Sequence, residues 1–107
     1  MSNLVLGYVP CSDSSEARKL ARLLVNSKLI ACANIVPGIT SIFNWNGEIC
    51  EESETLLLFK SSKDLEKEIT NELTRHHTYD VPNISFLSIN TVNDSFSAWV
   101  EQSLKTI

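Results

Sequence analysis

Clustered positive charge is what this sequence most plainly lacks. Nine Lys and Arg stand against thirteen Asp and Glu, a formal net charge of −4. No run gathers the basic residues into a patch of the kind that holds nucleic-acid phosphates or anionic lipid, so neither nucleic acid nor a membrane surface is an expected partner. A long apolar segment is missing too. Met1-Ser2-Asn3-Leu4-Val5-Leu6-Gly7 carries no basic stretch and no extended apolar run, which excludes a recognisable secretory signal and makes the expected localisation cytoplasmic. Cysteine is scarce and oddly numbered: Cys11, Cys32 and Cys50 have no C-x-x-C spacing. They support neither a disulfide framework nor a zinc ribbon and are expected as reduced thiols. Ser/His/Asp order, a phosphate loop, H-E-x-x-H and a paired-carboxylate pattern are all absent. No catalytic residue is assigned, and the expected protein is not an enzyme.

What is present reads as one folded domain spanning 1–107, with 43% apolar and 21% charged residues, no repeat and no low-complexity tract. Leu4 to Val9 is a short apolar strand halted by Pro10. Ser12 or Asp13 caps a helix, with Glu16 placed to reach back as in a capping box, and Ala17, Leu20, Ala21, Leu24 and Val25 form its apolar stripe. From Ile30 the period shortens into a strand interrupted at Pro37-Gly38. Asn46-Gly47 then signals a type I′ hairpin, because both central residues of that turn need positive φ. The return strand runs from near Glu48 to Lys60, roughly 43 Å at about 3.3 Å per residue, far beyond a typical strand. Ser61 or Ser62 caps a second helix with Leu65, Ile69 and Leu73 in one row and His77 next in it, ending near Thr78. Ile84 to Ile89 is the last strand, and Asn93 caps a final helix carrying Phe96, Trp99, Val100 and Leu104. Two β-α-β units joined by a hairpin predict an α+β fold, the ferredoxin-like β-α-β-β-α-β sandwich, with a long β-hairpin and a C-terminal helix. A ribbon bearing Ile42, Phe43, Trp45 and Ile49 outside the core predicts an obligate oligomer that covers it.

The block Leu29-Ile30-Ala31-Cys32-Ala33-Asn34-Ile35-Val36-Pro37-Gly38-Ile39-Thr40-Ser41-Ile42-Phe43-Asn44-Trp45-Asn46-Gly47-Glu48-Ile49 resembles the CutA divalent-cation-tolerance proteins. Glu54 with Leu57, Phe59-Lys60-Ser61, His77-Thr78-Tyr79-Asp80-Val81-Pro82 and Trp99 extend the match in order along nearly the whole chain. The resemblance implies a ferredoxin-like protomer, a homotrimer held by the long hairpins, binding of copper or another divalent metal ion, and no established catalytic activity or organic cofactor. The chain departs from the family pattern at Thr78, where Pro is usual, at Asp80 for Glu, at Asn83 for an acidic residue and at Val92 for Gly. Two shortened or lost carboxylates weaken the metal affinity the resemblance implies.

The candidate metal ligands are His77, Cys32 and Asp80. Imidazole suits Cu²⁺ and Zn²⁺, the neighbouring carboxylate of Asp80 adds an oxygen donor, and the thiol of Cys32 suits Cu(I). The alternatives are that His77 closes the apolar row of the second helix and that Cys32 is a compact buried hydrophobe. Lys60, Tyr79, Trp45 and Glu54 are expected to line a cleft or subunit interface. His76 points about 100° away from His77 on a helix. Cys11, just before the first helix, is expected as an ordinary loop thiol, the alternative being a reactive thiolate stabilised by that helix N-terminus; Cys50 is expected at a subunit contact. Glu48, Glu51 and Glu52 match no calcium loop and are expected on a solvated or subunit-facing edge. The expected function is a trimeric divalent-metal, chiefly copper, binding protein. The alternative is a regulatory or scaffold trimer binding a small ligand or a protein in its inter-subunit clefts.

Overall fold

In the computed structural model, which describes residues 3–106, the chain runs β1 (Leu4–Cys11), α1 (Ser14–Asn26), β2 (Cys32–Trp45), β3 (Glu48–Ser62), a 3-10 turn (Lys63–Leu65), α2 (Glu66–His76), β4 (Ser85–Ser88) and α3 (Asp94–Ser103). The four strands form one antiparallel sheet in the order β2-β3-β1-β4. This is the expected α+β, ferredoxin-like arrangement. No helix among the described residues is long and apolar enough to cross a membrane.

Strand alternation divides the sheet into two unlike faces. Val9, Cys11, Leu57 and Phe59 point to one side, where they pack with Ala17, Leu20 and Leu24 of α1 and with Leu65, Ile69 and Leu73 at and within α2. Gly7 belongs to this face and pairs with Phe59. A Cβ there would lie 2.0 Å from Phe59 Cζ, so only glycine leaves room for the ring. Val25, expected in the α1 stripe, is 42% exposed: it lies in the last turn at the edge of the stripe, whose Leu20, Ala21 and Leu24 are buried. On the opposite face, Leu4 is covered by Val100 of α3. Further along that face Leu6, Leu56 and Leu58 are only half-buried, and Tyr8 and Leu87 are exposed.

The hairpin forms as its turn residues require. Asn46 and Gly47 both have positive φ, 52° and 82°, and the Asn44 Oδ1 accepts the Gly47 N–H at 3.1 Å. The expected interruption in β2 is a bulge inside a continuous strand: the pairing with β3 shifts register between Val36 and Ile39, where Pro37 has no N–H to donate. β1 ends at Cys11, opposite Thr55, so Glu48–Glu54 pair with β2 alone. The result is a two-stranded ribbon projecting from a molecule 45 Å long, with Ile42, Trp45 and Ile49 more than half exposed.

Local capping differs from expectation in three places. β3 continues through Ser61 and Ser62; Ser61 is buried and donates its hydroxyl to the Leu29 carbonyl at 2.6 Å, while the Ser62 Oγ accepts the Asp64 N–H of the 3-10 turn. Helix α2 therefore begins at Glu66, and it stops at His76 because His77 is extended (φ −72°, ψ 144°). Asn93 is the N-cap of α3 by position, but its side-chain amide donates to the Ser95 hydroxyl and it caps no helix N–H.

Candidate functional site

At the end of β1 the chain turns sharply into α1, and the segment after α2 folds back onto that turn. Asp13 caps α1 by accepting the Glu16 N–H at 2.8 Å. This holds the Glu16 side chain under the turn. Glu16 Oε1 accepts the Ser12 N–H at 2.8 Å and the Ser12 hydroxyl at 2.9 Å, and Oε2 accepts the Thr78 N–H at 2.8 Å. Burial pushes the Glu16 carboxyl up, but these hydrogen bonds outweigh it and hold it below the usual carboxylate range.

His77 lies beside this carboxylate with no exposed side-chain surface, its Nδ1 3.6 Å from Glu16 Oε2. Pro10 offers only a carbonyl, so Nε2 donates to it at 3.0 Å, while Nδ1 accepts the Tyr79 N–H at 3.1 Å. That pair of bonds assigns the neutral tautomer with its proton on Nε2. Cys11 completes the group: fully buried, its thiol directed at the Val9 carbonyl at 3.5 Å, and its pKa pushed up to about 12 by burial and then by Glu16, Glu54 and Asp13. Cys11 is thus neither the ordinary loop thiol expected nor the stabilised thiolate that was the alternative. Cys11 is the last residue of β1 and faces the core and three carboxylates.

Ligand-type atoms of Cys11, Glu16 and His77 lie within 4.8 Å of one another, the one such three-residue group among the described residues. As folded, they do not fit a resident metal ion. Both imidazole nitrogens and both Glu16 oxygens are already hydrogen-bonded, and the thiol is protonated at neutral pH. Displacing those partners strands buried polar groups at about 1–3 kcal/mol each. Nor do the residues expected from sequence converge. Cys32 starts β2 opposite Lys60, whereas His77 bonds to Pro10, whose partner is Leu56. Four residues along β3 separate the two levels, roughly 13 Å at about 3.3 Å per residue. Asp80 is exposed beyond the His77 turn.

Tyr79 links this buried group to a cavity. Its ring lies 4.7 Å from the His77 ring, and its hydroxyl donates to Glu54 Oε2 at 2.5 Å. Burial, followed by the hydrogen bond and charge of Glu54, raises the Tyr79 hydroxyl well above its ordinary pKa, so it stays protonated as a donor. The cavity, about 820 Å³, lies between the ribbon and the segment after α2. Three of the four residues expected in a cleft, Tyr79, Trp45 and Glu54, line it together with Asp80. Lys60 does not; its Nζ donates to Asn34 Oδ1 at 3.1 Å on the neighbouring strand. Sequence reasoning missed Tyr8, Phe43 and Glu52 as lining residues. Strand alternation carried the signal for Glu52, since it shares a face with Glu54 two residues on. Glu16 was read only as a helix cap, and nothing local to it announces the contact with Thr78, 62 residues away.

A ferredoxin-like sheet with one face covered only at its Leu4 corner, a projecting ribbon and a carboxylate-lined cavity beside it define a class of α+β protein. Within that class, the family model described as "CutA1 divalent ion tolerance protein" matches residues 5–103, and the chain belongs to this family. It is similar to the divalent-cation tolerance protein CutA of Thermus thermophilus, 38% identical over 103 residues that make up 96% of this chain and 98% of the relative. It is also similar to the chloroplastic protein CutA of Arabidopsis thaliana, 36% identical over 94% of this chain but only 56% of that relative, so it spans little more than half of the plant protein. Among solved structures, the divalent ion tolerance protein CutA1 of Ehrlichia chaffeensis superposes with a TM-score of 0.91 at 35% identity, covering 96% of each chain. The family is named for cation tolerance and not for a reaction.

Proposed function

We propose that the working unit is a cytoplasmic homotrimer that takes up divalent cations, copper among them, as exchangeable cargo in the clefts formed beside its hairpins. The observation that carries this reading is the apolar surface left bare by one chain: Tyr8 and Leu87 on the open sheet face, and Ile42, Trp45 and Ile49 on the ribbon. Such a surface is stable in water only when covered, and an identical copy is the most economical cover. The number three is what the family resemblance implies. Cation uptake is supported by the family's name and by Glu52 and Asp80, two exposed cavity carboxylates with no hydrogen-bond partner among the described residues. Cys50 lines the same cavity and adds a soft donor that favours copper over calcium-like ions. One or two protein donors completed by water suit cargo that must be released.

Titration of the reduced protein with Cu²⁺ and Zn²⁺ tests this. The expected result is saturable Cu²⁺ binding that weakens at least severalfold in a Glu52→Gln, Asp80→Asn double variant of unchanged oligomeric mass. Binding unaltered in that variant, or abolished in a His77→Ala variant that remains folded and assembled, contradicts the cavity as the uptake site.

A further inference from the structure

We propose that His77 is a proton-operated catch: when its ring takes up a second proton, Nδ1 stops accepting the Tyr79 N–H and donates to Glu16 instead, which releases the turn after α2. The switch uses groups of one chain and needs no metal, so it stands apart from the proposed cation uptake. It follows from how that turn is held. Of the backbone N–H groups of residues 78–83, only two donate a hydrogen bond among the described residues: Thr78 to Glu16 Oε2 at 2.8 Å and Tyr79 to His77 Nδ1 at 3.1 Å. Both fastenings end on the Glu16–His77 pair, and the turn they hold carries Tyr79 and Asp80 into the cavity wall.

In the neutral ring the proton sits on Nε2, donated to the Pro10 carbonyl at 3.0 Å, and the single lone pair of Nδ1 serves Tyr79. A proton added at Nδ1 occupies that lone pair and sets two donors against each other. Glu16 Oε2 stands 3.6 Å from the same nitrogen, outside hydrogen-bond distance, and a shift of less than about 1 Å brings it to the separation of a charge-assisted bond. Of the titratable groups around the ring, Glu16 is the anion in contact. Its hydrogen bonds hold it below the usual carboxylate range, so it stays ionised where histidines ordinarily take up protons. Cys11 of β1 faces the ring as a neutral thiol, its pKa pushed up to about 12. Asp13 is engaged as the cap of α1, and Glu54 of β3 is held by the Tyr79 hydroxyl. On α2, His76 is exposed and faces Glu72 at 3.9 Å. One buried carboxylate therefore stands ready for the imidazolium, and it is the carboxylate that already fastens Thr78.

The test is NMR on the isotope-labelled full chain in EDTA, from about pH 8 to about pH 5, a range that brackets ordinary histidine titration. The His77 ring nitrogens are expected to show the Nε2–H tautomer at the upper end and to become doubly protonated as the pH falls. The Tyr79 amide is expected to lose protection from hydrogen exchange, corrected for the intrinsic effect of pH, by about tenfold with the same midpoint, the size of one lost hydrogen bond. His77→Asn keeps an oxygen acceptor near the place of Nδ1 but takes up no proton, and in it the Tyr79 protection is expected to stay constant. A doubly protonated His77 with unchanged Tyr79 protection overturns the proposal, as does a ring that stays neutral until the chain unfolds. A folded His77→Asn protein whose Tyr79 protection falls as in the parent overturns it too. Should that variant not fold, the midpoints in the parent decide: loss of Tyr79 protection that follows the Glu16 carboxyl carbon and not the His77 ring contradicts the catch.

Discussion

Glu16 is where the β1–α1 turn and the segment after α2 are fastened together, through three hydrogen bonds on two oxygens. Its folded pKa lies below its ordinary value of 4.5. The folded state therefore holds the carboxylate form better than the unfolded chain does, and the stabilisation is fully present above about pH 4.5 and lost as pH falls through the folded value. The thermal midpoint of the parent is expected to exceed that of Glu16→Gln at pH 7, with the gap closing as pH is lowered below 4.5. A gap that is constant from pH 7 to pH 3 would count against this role. Cys11 is expected to be the slowest thiol to react with iodoacetamide at pH 8, since its pKa near 12 leaves almost no thiolate and its side chain is enclosed, whereas Cys32 and Cys50 are partly exposed. Peptide mapping of the alkylated protein reads this directly, and fast labelling of Cys11 would contradict the closed group it forms with Glu16 and His77.

At the scale of elements, the hairpin was legible because its signals are local. Asn46-Gly47 declares its turn, and the length of β3 follows from counting residues between turn and helix. The boundary between β3 and α2 was not legible, because serines cap helices and also sit in strands. Ser61 is held in the strand by the Leu29 carbonyl, a tertiary contact 32 residues away. His77 followed the four-residue row of α2 in sequence, yet its ring is drawn out of the helix by the Pro10 carbonyl, 67 residues distant. Within one chain the metal set read from sequence is not brought together, for the same reason: chemistry suggests the donors, but only the register brings them to one level or keeps them apart. Gly47→Val is expected to destabilise the protein by about 1–3 kcal/mol, the usual cost of forcing a side chain into positive φ. An unchanged thermal midpoint would show that the turn does not govern the ribbon.

For the whole molecule, the two faces of the sheet set the account. One is sealed by α1 and α2. The other carries Leu6, Tyr8, Leu56, Leu58 and Leu87 with helix cover only at the Leu4 corner, and continues into a ribbon whose largest side chains face water in a single chain. Such a surface makes assembly part of folding, so dissociation and loss of structure are expected to coincide. Multi-angle light scattering on the reduced protein, from high to low micromolar concentration, tests this most directly. The predicted result is a constant mass of three times the 12.0 kDa chain. A folded monomer that persists at low micromolar concentration would contradict it.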